Sequence, residues 1–124
     1  MSTITKQDVI DQLVKLDPNA ANDPACLYTN SNGDHCIAGQ ILANLGRALP
    51  PVDSAENQAP ISVPMMARYV QGFEREAILF LDELQRTADH DVMPWESGGV
   101  VVEERITRFP WGEVVSRVQE GRGF

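Results

Sequence analysis

The sequence predicts a mainly α (α+β) domain, a compact bundle of about four helices with a small β-hairpin or two-stranded sheet. Apolar residues recur at helical spacing in four separate segments, and helix caps and stops bracket those segments. Only two short runs have the composition of strands. With 124 residues and few aromatics, we expect a single globular domain over residues 1–124 with an aliphatic core.

The first predicted helix begins after Thr5, whose hydroxyl can cap it, and Asp8 in the first turn is favoured by the helix dipole. The helix ends at Asp17-Pro18, and a loop follows as far as Pro24. Its predicted apolar stripe consists of Val9, Ile10, Leu13, Val14 and Leu16.

One tight stretch holds both cysteines, a histidine and the densest turn signal of the chain. Residues 26–29 have strand-like composition, and Asn30–Asp34 contains Asn and Gly residues that tolerate positive φ. A second helix is predicted from Asp34, as N-cap, to Gly46, which stands where a glycine closes a helix. Gly39 inside that helix costs about 1 kcal/mol relative to alanine, so we expect another backbone to approach closely there.

Residues 47–61 hold three prolines among polar residues and are predicted to form a loop. Ser62 is the predicted cap of a short helical segment that turns Met65 and Met66 inward and is interrupted at Gln71-Gly72. The following segment, 73–89, has the longest amphipathic stripe of the chain and predicts the third helix.

The chain changes character over residues 90–109. A β-branched run at 100–106 predicts an edge strand that pairs with residues 26–29. The last helix is predicted to begin at Pro110 as its first residue, with Trp111 in the core.

The charge of the chain argues against direct nucleic-acid binding, because a formal charge of −8 and a pI near 4.6 supply too few cations to displace counterions from phosphates. The charge is also uneven. Residues 82–104 carry seven acidic residues against one arginine, whereas residues 105–124 carry four arginines against two glutamates. No apolar run is long enough to span a bilayer and no signal peptide is evident, which predicts a cytoplasmic protein without membrane contact.

Cys26, His35 and Cys36 form the candidate group for metal or thiol chemistry, here called the Cys–His group. Thiolate and imidazole suit Zn²⁺, but the spacing fits no zinc motif and supplies no clear fourth ligand. A cysteine near a helix N-terminus has its thiolate favoured by the dipole. The alternatives are two cysteines that pack as small apolar residues, or a disulfide between them. The sequence predicts no cofactor and no catalytic residue.

A scattered pattern covers about two thirds of the chain: Cys-x-aromatic, a polar turn, Cys-Ile-x-Gly, Leu-Gly, then Phe-Leu-x3-Gln, Asp and Trp-Gly. Its residues are Cys26, Tyr28, Cys36, Ile37, Gly39, Leu45, Gly46, Phe80, Leu81, Gln85, Asp89, Trp111, Gly112 and Val115. The pattern resembles a group of small proteins common in phages of actinobacteria and their prophages. The resemblance implies a phage accessory protein in the host cytosol, with no established reaction, ligand or partner. It also makes residues 90–109 an insertion, because the group steps almost directly from its acidic turn to Trp-Gly.

The leading hypothesis is a non-enzymatic protein that binds a host protein. Its predicted contact residues are Trp95, as an exposed aromatic anchor, with Asp89, Asp91 and Glu96 beside it. One alternative is a zinc-binding or thiol-dependent small enzyme centred on the Cys–His group, and another is an acidic mimic whose carboxylates imitate phosphates. A structural or homo-oligomeric role is the third.

Overall fold

A computed structural model describes residues 3–22, 28–92 and 107–121. Its elements confirm the predicted mainly α class, and their buried residues form one hydrophobic core. The α-helices are α1 (Lys6–Leu13), α2 (Ile37–Asn44), α3 (Arg75–Ala88) and α4 (Trp111–Gln119), and 3₁₀ helices span Ala55–Gln58 and Pro64–Tyr69. In the part of the chain described, no helix is long and apolar enough to cross a membrane.

The predicted β-hairpin is not confirmed. Thr29 and His35 form an isolated antiparallel bridge across the turn, and the predicted strand at 100–106 lies outside the described residues. Within the described ranges, the sheet consists of a two-residue antiparallel pairing between β1 (Asp91–Val92) and β2 (Thr107–Arg108). A pairing this short makes no layer of its own, so helix packing determines the architecture.

Helix α1 begins as predicted. Thr5 Oγ1 accepts a hydrogen bond from the Asp8 N–H at 3.2 Å, and the Asp8 carboxylate accepts one from the Thr5 N–H at 2.8 Å, which completes a capping box. The inward position predicted for Val14 is wrong, because its side chain is 87% exposed. At 3.6 residues per turn it lies about 140° around the helix from Val9, which is fully buried.

Helix α2 begins later than predicted, because Cys36 and not Asp34 is its N-cap. The Cys36 sulfur accepts a hydrogen bond from the Gly39 N–H at 3.3 Å. Asp34 lies two residues before this cap, in the turn, where its N–H donates to Asn30 Oδ1 at 3.0 Å. The helix ends as predicted at Gly46, which has a φ of +75°.

Helix α3 is central, and α1, α2 and α4 all pack against it. Its buried apolar residues are Ala77, Phe80, Leu81, Leu84 and Ala88, of which all but Ala88 belong to the predicted stripe. Two neighbouring predictions are wrong in detail. Val63, not Ser62, caps the segment before α3, which is a 3₁₀ helix that exposes 53% of Met65 while burying Met66. Pro110 is the N-cap of α4, not its first residue.

Candidate functional site

Cys36 occupies the core. Its side chain is 2% exposed and is a free thiol, whereas Cys26 lies outside the described residues. Burial raises the pKa of the Cys36 thiol to about 12, although the hydrogen bond from the Gly39 N–H acts in the opposite direction. Desolvation therefore outweighs the stabilisation that the helix start offers a thiolate. A neutral, buried thiol is suited to packing and capping, not to nucleophilic attack.

His35 lies beside Cys36 in sequence but in a different environment, because it is only half-buried. Its Nδ1 lies 2.9 Å from Thr29 Oγ1 and 3.2 Å from the Tyr28 carbonyl oxygen. A carbonyl oxygen only accepts, so these partners assign the proton to Nδ1 and leave Nε2 as the acceptor of the neutral ring. Among the residues with described positions, no group of three His, Cys, Asp or Glu side chains is arranged to hold a metal ion.

A buried polar cluster surrounds the start of α2. Its centre is Asn22, which is 4% exposed. Asn22 Oδ1 accepts hydrogen bonds from the Ile37 N–H and from Trp111 Nε1, both at 2.9 Å, and its amide nitrogen donates to Asp89 at 2.7 Å. One side chain thus joins the loop after α1 to α2, α3 and α4. We call Asn22, Gln85, Asp89, Arg108 and Trp111 the α2 cap cluster.

Gln85 completes the cap from α3. Its Oε1 accepts a hydrogen bond from the Ala38 N–H at 3.2 Å, and its amide nitrogen donates to Asp89 at 3.0 Å. Side chains thus accept hydrogen bonds from the first three N–H groups of α2. Asn22 accepts from Ile37, Gln85 from Ala38 and Cys36 from Gly39. Those N–H groups are therefore not available to an anionic ligand.

Asp89 is the predicted contact residue that the structure describes most fully. Its carboxylate accepts from Asn22, Gln85 and, at 3.4 Å, from Arg108, and 25% of its side chain is exposed. It therefore has a structural role, and its partner-binding role stays a prediction. Asp91 contributes backbone to β1, whereas Trp95 and Glu96 lie outside the described residues.

A cleft of about 330 Å³ lies beside the turn that precedes α2. Its lining residues are Ala20, Ala21, Asn30, Gly33, Asp34, His35 and Gln40. Sequence reasoning predicted His35 as a candidate ligand but neither Gln40 nor the alanines, because α2 and the loop after α1 are brought together only by the tertiary fold.

The stability of the domain is expected to fall from about pH 9 towards pH 12. Burial raises the folded-state pKa of Cys36 to about 12, whereas an unfolded thiol ionises near pH 8.5, so deprotonation above that pH favours the unfolded chain. The substitution Cys36→Ser keeps an acceptor for the Gly39 N–H and removes this titration. Denaturant midpoints measured from pH 7 to 10.5 should therefore fall less in Cys36→Ser than in the unaltered protein. Equal falls would show that Cys36 does not contribute.

Comparison with protein-family models, curated proteins and solved structures gives no match to this chain.

Proposed function

We propose that this chain is a non-enzymatic phage accessory protein that binds a host protein through the acidic surface of residues 82–104, with Trp95 as an anchor. The observation that carries the proposal is the anchored base of that segment. β1 pairs with β2 so that Asp91 lies opposite Arg108 and Val92 opposite Thr107. Residues 93–106 are thus joined to the domain at two adjacent positions.

The α2 cap cluster holds this base. Arg108 is 8% exposed and contacts Asp89, which is itself bonded to Asn22 and to Gln85. The residues that flank the segment are therefore paired with each other, next to Arg108 and its bond to Asp89. Anchoring lowers the entropy that a binding segment loses on association, so a contact made from this base is stronger than one made from a free tail.

The distribution of charge supports a basic partner. Several arginines have partners within the same chain, two of them at the surface: Arg47 donates to the Tyr69 and Gln71 carbonyl oxygens, Arg68 pairs with Glu56, Arg86 with Asp82 and Arg117 with Glu113. The net charge of the chain is −8, and its electrostatic field attracts cationic surfaces and raises their association rate. An acidic segment beside an aromatic anchor combines this attraction with a residue type enriched at binding hot spots.

The test replaces residues 93–106 by Asn-Gly, which joins Val92 to Thr107 through a two-residue hairpin turn. We expect the variant to fold, because the pairing and the α2 cap cluster remain, and to lose capture of the partner from an actinobacterial lysate. In the full chain, Trp95→Ala is expected to weaken capture of the same partner about thirtyfold, the effect of losing a hot spot of about 2 kcal/mol.

The control variant Glu74→Gln/Glu76→Gln removes two exposed charges before and at the start of α3 and should leave capture within about threefold of the unaltered protein. Capture that survives both the excision and Trp95→Ala would exclude this surface. Capture lost equally in the control variant would show that total charge, and not the segment, selects the partner. Release of the partner by duplex DNA would favour the phosphate-mimicking form of the proposal.

A further inference from the structure

We propose that the cleft beside the turn at residues 30–34 binds a cationic hydrogen-bond donor, an alkyl ammonium or alkyl guanidinium group. None of the described residues that line the cleft belongs to the segment 82–104, and this proposal does not depend on the function proposed for that segment. Its volume of about 330 Å³ is at the lower end of the range of roughly 300–1,000 Å³ for small-ligand pockets. The site therefore suits a side-chain-sized ligand.

Several hydrogen-bond donors around the cleft have partners within the protein. Asn30 Oδ1 accepts from the N–H groups of Asn32 and Asp34 at 2.9 and 3.0 Å. The Gly33 N–H donates to the Asn30 carbonyl oxygen at 3.0 Å, and the Asn30 N–H to the Asp34 carbonyl oxygen at 2.9 Å. Because Asn22, Gln85 and Cys36 also accept from the first three N–H groups of α2, an anion would find few donors among the described residues here.

Acceptors remain on the same wall. The Asp34 side chain is exposed and brings a carboxylate. The His35 ring uses Nδ1 as its donor, which leaves the Nε2 lone pair. Gln40 turns its amide nitrogen to Asn44 Oδ1 at 3.0 Å, which leaves its carbonyl oxygen. One negative charge and two neutral acceptors are complementary to a group that carries only donors.

Ala20 and Ala21 supply an apolar part of the lining. Alkyl ammonium and alkyl guanidinium ions combine a hydrocarbon stem with a charged donor head, so the stem can cover methyl groups while the head meets the acceptors. The chain's net charge of −8 adds a field that attracts such ions. This combination favours an organic cation over a bare metal ion, which would gain nothing from the alanines.

The test is an NMR titration of the full ¹⁵N-labelled chain with butylammonium or butylguanidinium chloride at constant ionic strength. We expect the shift changes to concentrate on residues 30–35 and on the Gln40 side-chain amide. Asp34→Asn should weaken binding about fivefold, because an exposed ion pair contributes up to about 1 kcal/mol. Ala21→Leu fills the cleft without changing any charge and should abolish binding. Asp53→Asn removes an exposed carboxylate outside the cleft and should leave the affinity unchanged.

Equal weakening in Asp34→Asn and Asp53→Asn would overturn the proposal, because it would show only general attraction to an acidic protein. Shift changes produced by Zn²⁺ but by neither organic cation would also overturn it. A second titration with short lysine and arginine peptides identifies the source of the group. Saturation by the free cations supports a small-molecule ligand, and saturation by the peptides alone supports a side chain of a protein partner.

Discussion

Replacement of Asn22 by alanine is expected to lower the free energy of unfolding by about 4 kcal/mol. The alanine would leave two buried donors, the Ile37 N–H and Trp111 Nε1, without their shared acceptor, and each unsatisfied group costs about 1–3 kcal/mol. Asp89 would also lose its hydrogen bond of 2.7 Å. Because small domains are stable by only about 5–15 kcal/mol, this single change brings the fold close to its limit.

Urea denaturation followed by circular dichroism measures this effect. The matched control is Asn44→Ala, which removes an exposed asparagine bonded only to Gln40 among the described residues and should change stability by less than about 0.5 kcal/mol. A loss below about 1 kcal/mol in Asn22→Ala, with an unchanged denaturant slope, would contradict the role given to the α2 cap cluster.

The role of Asn22 could not be predicted from the sequence. Its three partners lie 15, 67 and 89 residues away along the chain, so no local spacing marks it. The capping box at Thr5 and Asp8 was predictable because both partners lie within one turn. The capping box of α1 and the glycine that ends α2 were therefore open to prediction, whereas the start of α2 and the long-range hydrogen bonds that join the helices were not.

The β-hairpin prediction was not confirmed for the same reason, because the hydrogen-bond partner comes from a distant part of the sequence. Asn57 is fully buried and pairs with the backbone of Thr29 through both ends of its side-chain amide, accepting at 3.1 Å and donating at 2.9 Å. The Tyr28 N–H also donates to the Asn57 carbonyl oxygen at 3.1 Å. An asparagine from the 3₁₀ helix at Ala55–Gln58 thus takes the place of a partner strand. Strand-like composition at residues 26–29 predicted backbone that needs partners, but it carried no information on which residue would provide them for Tyr28 and Thr29.

The chemistry predicted for the Cys–His group was separated by the fold into two roles. Cys36 faces the core and caps α2, whereas His35 lines a cleft with Asp34 and Gln40. The sequence placed both residues in one candidate group, although neighbours at the start of a helix do not face each other well. Burial differs so sharply between them because the chain changes from turn to helix at this point, and the side-chain directions change with it.

Replacement of Gly39 by alanine is expected to destabilise the domain by about 3 kcal/mol, although the same change in an ordinary helix stabilises by about 1 kcal/mol. A Cβ atom at this position would overlap the Tyr28 carbonyl oxygen and lie 3.2 Å from its carbonyl carbon. The Tyr28 backbone has little freedom to move, since its N–H donates to Asn57 and its carbonyl oxygen accepts from the Cys36 N–H. Overpacking of this kind costs about 1–3 kcal/mol, and rigid backbone on both sides favours the upper end.

Gly112→Ala in α4 is the graded control. Its Cβ would lie 3.0 Å from Pro18 Cβ and 3.2 Å from the Pro18 carbonyl oxygen, which is a tight contact but not an overlap. A shift of a few tenths of an ångström relieves it, so we expect a loss of no more than about 1 kcal/mol. Thermal unfolding of both variants tests this order of stability, and we expect Gly39→Ala to have the lower melting temperature. A neutral or stabilised Gly39→Ala would mean that α2 and Tyr28 do not approach as closely as the Gly39 geometry requires, and the cap at Cys36 would then need another explanation.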